Sequence, residues 1–502
     1  MKLLNDQKIL KIEKLNKLKL LGFNPYPSYT FKLNNNIKNI FKNYKNYKNN
    51  FKNISIAGRL MSKRLMGHVS FSELKDHTGV IQLYIKKNNL YFNRNNILYD
   101  IYKKYINIGD IIGITGFVFI TKVKELSICV KNIIILSKSI NSLPVVKEVN
   151  DKNGVKFYNS FSNVEYKYRY RYLDLIINNE SKERFNKRFN LVSFIRNYLD
   201  YKKYLEVETP ILQNLYGGAL ARPFRTYHND FNFFLYLRIS NELYLKRLII
   251  SGYSGVYEFS KDFRNEGMSR FHNTEFTQLE LYVSYKDYLW MLNMVEKMIN
   301  ELFINVCNNS LVKVGDNLIN FSRFWNKFTL FESIENFVGI SINFINSFEL
   351  MNFVKELLLF FNKSLDISKI IDEVFSLKCE PYIIQPTFII DYPIIMSPLA
   401  KVHYDNINLV ERFEVICNRK EICNSFSELN DPIEQKKRFE YQNKLKKIGD
   451  KEAMVLDEDF LKSLSYGMPP TSGIGIGIDR LAMILSNSDS IQDVIFFPQM
   501  KL

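Results

Sequence analysis

The chain has 502 residues, room for two or three domains, and carries 69 Lys and Arg against 52 Asp and Glu. The resulting net charge of +17 makes a polyanionic partner plausible. No apolar run approaches the roughly 18 residues of a membrane helix, and the start lacks the apolar core of a secretory signal.

The excess charge is uneven. Residues 1–53 hold twelve lysines against Asp6 and Glu13. A coding bias toward Asn, Lys, Ile, Phe and Tyr contributes to the total but would not concentrate it there. Over 7–21, Ile9, Ile12, Leu15, Leu18 and Leu21 recur at helical spacing with lysines between them. Asn5 or Asp6 can cap this helix and Gly22 can stop it. Such a helix is either a solvated basic surface or a sequence-independent contact to a phosphate backbone. The Asn- and Lys-rich stretch 33–53 reads as a further helix or a tether.

Residues 54–137 alternate like five short strands, which suggests a small barrel of the OB type. Asp76-His77-Thr78-Gly79 makes a tight connection between two of them. Alternation sends Ile81, Leu83 and Ile85 inward, and Gln82 and Tyr84 outward. Arg59 and Phe71 also fall on outward positions. An exposed aromatic beside Arg and Gln can stack on a base and read its edge. A polar, proline-containing stretch follows and reads as a linker at 146–164.

In the rest of the chain, two strand-like runs flank a polar loop at 263–282. Leu279, Leu281 and Val283 share one face, and Phe276, Gln278, Glu280 and Tyr282 share the other. Paired as a hairpin with Glu258, Arg264 and Glu266, they form a polar floor. The types present suit a nucleotide and a cationic ligand, although an amphipathic hairpin with a solvated face gives the same alternation. Residues 284–400 are the least informative, with apolar helical patterns around 285–303 and 347–363. Glu414 and Glu421 are seven apart, so a turn at Asn418-Arg419 is needed to bring both to one hard cation. Gly473, Gly475 and Gly477 leave one strand face bare while Ile474, Ile476 and Ile478 pack on the other, and Arg480 opens the next helix. The cysteines Cys129, Cys307, Cys379, Cys417 and Cys423 form no C-x-x-C pair, and with the scattered histidines they offer no zinc spacing. They read as apolar side chains in a reducing cytoplasm.

The string FRNEGMSRFHNTEFTQLELY, Phe263 to Tyr282, resembles motif 2 of class II aminoacyl-tRNA synthetases. Its ending resembles the lysine branch of subclass IIb. The likeness extends over nearly the whole chain. GFNPYP after the basic helix is similar to a bacterial-type lysyl pattern that lies near the start, which leaves no room for an organellar presequence. GRLMSKRLMGHVSFSELKDHTGVIQLY resembles the anticodon-binding barrel. YLEVETPIL with Pro210 resembles motif 1, LRISNELYLKR a family helix start, SPLAK a family run, and PPTSGIGIGIDR motif 3. The implied fold is α+β: a basic helical arm at 1–53, an OB-type barrel at 54–145, the linker, and at 165–502 a catalytic domain built on an antiparallel sheet flanked by helices.

The resemblance implies a lysine–tRNA ligase acting on ATP, L-lysine and tRNA(Lys), as a cytoplasmic homodimer with magnesium. Arg264 would clamp the α-phosphate and the carboxylate, His272 and Arg480 would hold the outer phosphates, and Phe276 would stack on adenine. Arg264 and Arg480 are thus the expected catalytic groups. Glu266 would read the adenine amino group, and Glu414 and Glu421 would hold magnesium. For lysine, Gly218 would allow close backbone approach and Glu242 would bind the α-ammonium. Glu280, Tyr282 and Glu428 would surround the ε-ammonium over a floor of Asn424 and Phe426. Phe71 and Gln82, assisted by Arg59, would read the central anticodon base. An aspartyl enzyme would show basic residues in SFSELND, and none is there. The alternatives are an aspartyl or asparaginyl relative, an enzyme that transfers lysine to a protein, and an impaired RNA-binding derivative. The chain departs from the pattern at Asn241, Cys423, Ser425 and Ser472. It also departs at Phe271, where an arginine is usual; Arg270, one place earlier, is the expected substitute at some cost in rate.

Overall fold

The computed structural model describes residues 2–46, 51–90, 97–144, 147–151, 154–158, 161, 163–339, 367–450 and 452–501. The helix expected around 347–363 lies outside them. The chain divides into two units, residues 1–162 and 163–502. Among the described helices none is long and apolar enough to cross a membrane.

In the first unit the basic helix runs from Lys2 to Leu20. Gly22, at φ +81°, lets the chain reverse, with Phe23 N–H donating to Leu18 O (3.1 Å) and Gly22 N–H to Lys19 O (3.0 Å). Only part of its apolar stripe is buried. Leu15 and Leu18 are covered, whereas Ile9, Ile12 and Leu21 are exposed. Leu18 joins Ile37 and Ile40, from the helix Ile37–Asn43, in the same core as the barrel strands. The N-terminal arm therefore packs with the barrel rather than as a body of its own. Two of its lysines are occupied: Lys11 Nζ donates to Asn141 O (3.0 Å) and Lys14 Nζ to Asn107 Oδ1 (3.2 Å).

The barrel consists of β1 (Ile54–Met66), β2 (Val69–Lys75), β3 (Val80–Lys86), β4 (Ile111–Ile120) and β5 (Leu126–Ser137), closed in the order β1-β2-β3-β5-β4. Ile81, Leu83 and Ile85 point into it, as their alternation requires. The Asp76 carboxylate organises one end. It accepts from the N–H groups of Thr78 (2.6 Å), Gly79 (2.9 Å) and Ile37 (2.9 Å), so it shapes the turn and also caps the helix at 37. Part of the expected linker is a hairpin of β6 (Lys147–Asp151) and β7 (Gly154–Tyr158).

In the second unit β8 (Leu205–Glu206) precedes a small sheet of β9 (Leu212–Gln213), β10 (Arg225–His228) and β11 (Phe233–Leu237). The main hairpin follows as β12 (Gly255–Phe263) and β13 (Glu275–Ser284). After a second small hairpin, β14 (Leu311–Val314) and β15 (Asn317–Asn320), come β16 (Asn326–Thr329), β17 (Thr387–Pro393), β18 (Leu409–Cys417), β19 (Lys420–Ser427) and β20 (Thr471–Gly477). Eight of these strands form one sheet in the order β16-β17-β18-β19-β20-β13-β12-β8. Its interior pairs are antiparallel, and only the two edge pairs, β16/β17 and β12/β8, run parallel.

One face of this sheet is apolar. Tyr257, Leu279, Leu281, Ile474, Ile476, Phe413, Val415 and Cys423 pack against the helices Asn179–Tyr201, Tyr288–Cys307 and Ile478–Ser486. The opposite face carries the polar members of the same strands, and it is the face that holds the cavity described next.

Candidate active site

The register of four strands lays out the floor of the site. Glu280 on β13 stands beside Gly475 on β20, which stands beside Asn424 on β19, which stands beside Glu414 on β18. The neighbouring row reads Tyr282, Gly473, Phe426, Arg412. Side chains in a row share a face, so residues distant in sequence become lateral neighbours. The glycines make the trough. A Cβ on Gly473 would lie 2.0 Å from Glu428 Oε1, and one on Gly475 would lie 2.5 Å from Gln278 Nε2. Above the floor is a cavity of about 460 Å³.

Its walls include Gly218, Glu242, Arg264, Glu266, His272, Phe276, Glu280, Tyr282, Glu414, Glu421, Asn424, Phe426 and Arg480. Glu428 Oε1 lies over the bare floor at Gly473, where a side chain would otherwise stand. The structure thus brings the expected nucleotide and amino-acid residues around one space. Gly218 has φ +83°, and a Cβ there would press on Ser240 Oγ at 2.7 Å. Both the conformation and the crowding call for glycine.

Hairpin geometry puts both carboxylates expected at the cation, Glu414 and Glu421, on the cavity side. Asn418 and Arg419, at φ 49° and 67°, make the two-residue turn, and Glu421 pairs with Ile416. A bulge beside Ile416 then sets Glu414 opposite Asn424, which keeps Glu414 and Glu421 on the cavity side and both Ile422 and Cys423 in the core. Arg412 Nη2 donates to Glu414 Oε1 at 2.6 Å, and Arg480 Nη1 donates to Glu421 Oε2 at 3.0 Å. Burial pushes Glu414 up to about 7, against the pull of Arg412 and with help from the charge on Glu421. Among the described residues no group of three or more His, Cys, Asp or Glu is arranged to hold a metal. Two hard carboxylates are suited to a magnesium ion that takes its other ligands from water and substrate phosphates.

At the nucleotide end, the Arg264 guanidinium lies 5.1 Å above the Phe276 ring. Arg480 Nη2 approaches His272 Nε2 at 3.3 Å. His272 Nδ1 meets Ser269 Oγ at 2.9 Å, and partial burial together with the positive Arg480 and Lys420 lowers its pKa. The imidazole is therefore held toward its neutral form, as a hydrogen-bonding group. Glu266 is exposed at the mouth. Arg480 is fixed from behind by its neighbour Asp479, whose carboxylate accepts from Thr277 N–H (2.7 Å) and Arg188 Nη1 (2.5 Å).

At the amino-acid end lie three buried carboxylates, Glu242, Glu280 and Glu428, and one buried lysine that pairs with two of them. Lys246 Nζ donates to Glu242 Oε1 at 2.6 Å and contacts Glu428 Oε2. Glu428 Oε1 is buried with no hydrogen-bond partner among the described residues. Glu280 accepts from Ser240 Oγ (2.9 Å), Gln278 Nε2 (3.2 Å) and Tyr282 OH (2.9 Å). Burial, with the charges of Asp262 and Glu242, pushes Glu280 up to about 8. Burial likewise raises Glu242 and Glu428, although Lys246 opposes it for both. Arg412 opposes it for Glu242 as well, while Glu280 has no ion-pair partner among the described residues.

The model of the tRNA synthetases class II (D, K and N) matches residues 163–501, and that of the OB-fold nucleic acid binding domain matches 54–136. The chain belongs to the class II tRNA synthetases. It is 48% identical over 499 residues to a lysine–tRNA ligase of Azobacteroides pseudotrichonymphae genomovar. CFP2, covering 99% of both chains. It is 47% identical to a lysine–tRNA ligase of Porphyromonas gingivalis strain ATCC 33277, over 99% of this chain and 86% of that one. A lysine–tRNA ligase of Christiangramia forsetii is 47% identical over 100% of this chain and 87% of its own.

Not every expected group of this synthetase lies where its pattern put it. Glu258 sits directly opposite Glu280 in the hairpin, yet it is withdrawn from the cavity. Arg238 Nη1 (2.7 Å), Asn241 Nδ2 (2.7 Å) and Thr209 Oγ1 (2.6 Å) all donate to it. Asn241, where the family pattern has proline, thus anchors a carboxylate rather than capping its helix. Arg270 does not line the cavity; it borders a neighbouring cleft with Arg419 and Lys420. Phe271 packs on the sheet's core with Lys420 Nζ 5.2 Å above its ring. Ser425 fits its small-residue place by donating to Gly473 O at 2.7 Å. Burial raises the Cys423 thiol far above its usual range, which suits an inert core residue. The groups missed from sequence are Lys246, Arg412, Ser240 and Asp372. Spacing held a clue to two of them: Lys246 is four residues after Glu242 on a helix, and Arg412 two before Glu414 on a strand.

On the barrel, Phe71 and Tyr84 are cross-strand partners with ring centroids 5.4 Å apart, and Phe119 continues the row at 5.5 Å from Tyr84. Gln82 Nε2 donates to Glu125 Oε2 (2.7 Å), and its Oε1 accepts from Ser127 Oγ (2.8 Å). Arg59 stands at the other end of this face, opposite Lys75, with Nη1 donating to Gly109 O at 2.7 Å.

Proposed function

We infer that this chain is a lysine–tRNA ligase, which activates L-lysine with ATP to lysyl-adenylate and transfers the lysyl group to the 3′ end of tRNA(Lys). The observation that carries the amino-acid reading is the ratio of three buried carboxylates, Glu242, Glu280 and Glu428, to one resident ammonium, Lys246. Lysine brings two ammonium groups, which match the deficit. An aspartate or asparagine side chain would leave it standing, and polar mismatch of this kind discriminates by roughly 10⁴- to 10⁵-fold.

Glu242 receives the α-ammonium, with Gly218 close to its backbone. Glu280, Tyr282 and the unpaired oxygen of Glu428 receive the ε-ammonium, and Asn424 and Phe426 floor the stem. Arg264 holds the lysine carboxylate against the α-phosphate. The carboxylate is already ionised, so it attacks phosphorus without a general base, the bond to the bridging oxygen breaks, and pyrophosphate leaves. Catalysis is then positioning and charge neutralisation. Arg264 acts at the α-phosphate and Arg480 with His272 on the departing phosphates. Phe276 stacks on adenine, and Glu266 accepts from its amino group. Glu414 and Glu421 would hold magnesium, which when bound neutralises phosphate charge. In the second step the terminal ribose hydroxyl of the tRNA attacks the lysyl carbonyl and AMP leaves.

On the barrel, Phe71 stacks on an anticodon base and Gln82 reads its edge, with Arg59 supporting the same face. Leu205, Ile211, Leu212, Phe231, Phe233 and Phe234 are exposed and apolar, which supports a homodimer through that side. The setting is cytoplasmic. ATP–pyrophosphate exchange tests the reading: lysine should support it, while aspartate, asparagine and no amino acid should not. Exchange with aspartate or asparagine, or with none from folded protein, would overturn it.

A further inference from the structure

Lys246, behind the amino-acid end of the cavity, touches two carboxylates at once. Its side chain is fully buried. Nζ reaches Glu242 Oε1, four residues earlier on its own helix, and Glu428 Oε2, which follows β19. The ammonium also lies 5.5 Å from the Phe426 ring and 6.0 Å from the Phe460 ring. Lys246 does not line the cavity, whereas Glu242 does and Glu428 Oε1 lies against Gly473, which does.

A buried lysine normally neutralises one partner. Here each of its two partners keeps an oxygen uncommitted to it: Glu242 lines the cavity, and Glu428 Oε1 borders the trough at Gly473. The ammonium therefore holds both carboxylates by one oxygen and leaves the other for a ligand. It also lowers the charge deficit of the pocket to what a diammonium ligand supplies.

We propose that Lys246 is a positioning residue for amino-acid selection, a resident counter-cation that sets both the geometry and the net charge of the pocket that takes the two ammonium groups of lysine. This rests on the lysine reading above. Without the cation, Glu242 and Glu428 repel each other and Glu280, and protonation rather than lysine relieves the strain.

The test uses the full chain with Lys246→Gln and Lys246→Met, which remove the charge while keeping donors or shape, and Lys246→Arg, which keeps the charge. The unsubstituted protein, run alongside, shows whether lysine activation itself holds. In a neutral variant with a cooperative melt, KM for lysine should rise about 10- to 100-fold, the value of a charge-assisted hydrogen bond. KM for ATP should stay within about threefold. The acid limb of kcat/KM for lysine should move to higher pH, because losing the cation makes the carboxylates harder to ionise, and Lys246→Arg should restore that limb. Unchanged lysine KM and pH profile in a folded neutral variant would overturn the proposal. So would equal rises in the KM for ATP and lysine. If neither neutral variant folds, the cation serves stability instead, and the proposal fails in that case too.

Discussion

The barrel and the catalytic cavity each bury carboxylates, and they treat them in opposite ways. In the barrel, Asp110 has everything it needs. Lys138 Nζ donates to Oδ2 at 2.5 Å, and the N–H groups of Asn107 (2.7 Å) and Ser139 (2.8 Å) complete its shell. Both side chains are wholly buried, one cation to one anion. In the cavity, Glu242 and Glu428 share Lys246, Glu280 has only neutral hydrogen-bond partners, and one oxygen of Glu428 is left without a partner among the described residues. Burying charge costs several kcal/mol per ion unless it is paired, so a structural pair tends toward balance. An imbalance that the fold tolerates marks the place where a ligand completes the set.

The comparison breaks most sharply at Glu280. Glu280→Gln should lower lysine-dependent exchange roughly 100- to 1000-fold, since a buried charged contact to the ligand is lost. It should also raise the melting temperature of the free protein at neutral pH, because Gln is neutral when buried without having to take up a proton on folding, as Glu280 does. The reverse is expected for Asp110→Asn. Removing one partner of a balanced buried pair should cost about 3–5 kcal/mol in the unfolding transition of the barrel. Exchange per folded molecule should be nearly unchanged. Urea titrations and exchange assays on both variants give the crossed pattern, and two variants that change both quantities in the same direction would undo the distinction.

A second effect is proton release. Glu280 titrates near 8 in the free protein, far above an unfolded glutamate. Between about pH 4.3 and 8 the folded state therefore binds the extra proton. For this group stability is highest at the acid end of that window and declines as pH rises through it. Lysine needs the ionised form, so at pH 7 its binding should expel up to one proton from this site. Calorimetry in buffers of differing ionisation enthalpy measures this, and the proton should vanish in Glu280→Gln. The smallest effect belongs to the barrel's outer face. Phe71→Ala should weaken use of tRNA(Lys) by roughly 5- to 150-fold, the worth of one stacked base, and leave exchange unaltered.

Much of the site was legible in residue order. Period-two alternation put Phe276, Gln278, Glu280 and Tyr282 on one face; all four line the cavity, and the last three pair with the bare glycines of β20. The two-residue turn before Glu421 was legible for the same reason: parity along a strand is a local property. Glu258 shows the limit. By pattern it belongs with Glu280 and by register it stands opposite it, yet Arg238, Asn241 and Thr209 enclose it. Arg270 was expected to serve the phosphates by position and instead borders another cleft, because a loop's path is not periodic. The basic helix had five apolar positions at the right spacing, but of these only Leu15 and Leu18 are buried. The helical pattern told of a face and not of how far its cover extends.

What the sequence by itself determined is therefore each element's chemistry and the face it presents: a five-stranded barrel with outward aromatics, a polar hairpin, a glycine-bared strand and two carboxylates brought together by a turn. These follow from backbone geometry, which repeats every two or 3.6 residues whatever surrounds it. Only the tertiary structure decided the charge balance. Glu242 and Glu428 meet at Lys246 because a helix after β11 and the end of β19 converge behind one trough. Electrostatic energy depends on distance in space and on exclusion of water, and neither is written in the spacing of residues along the chain.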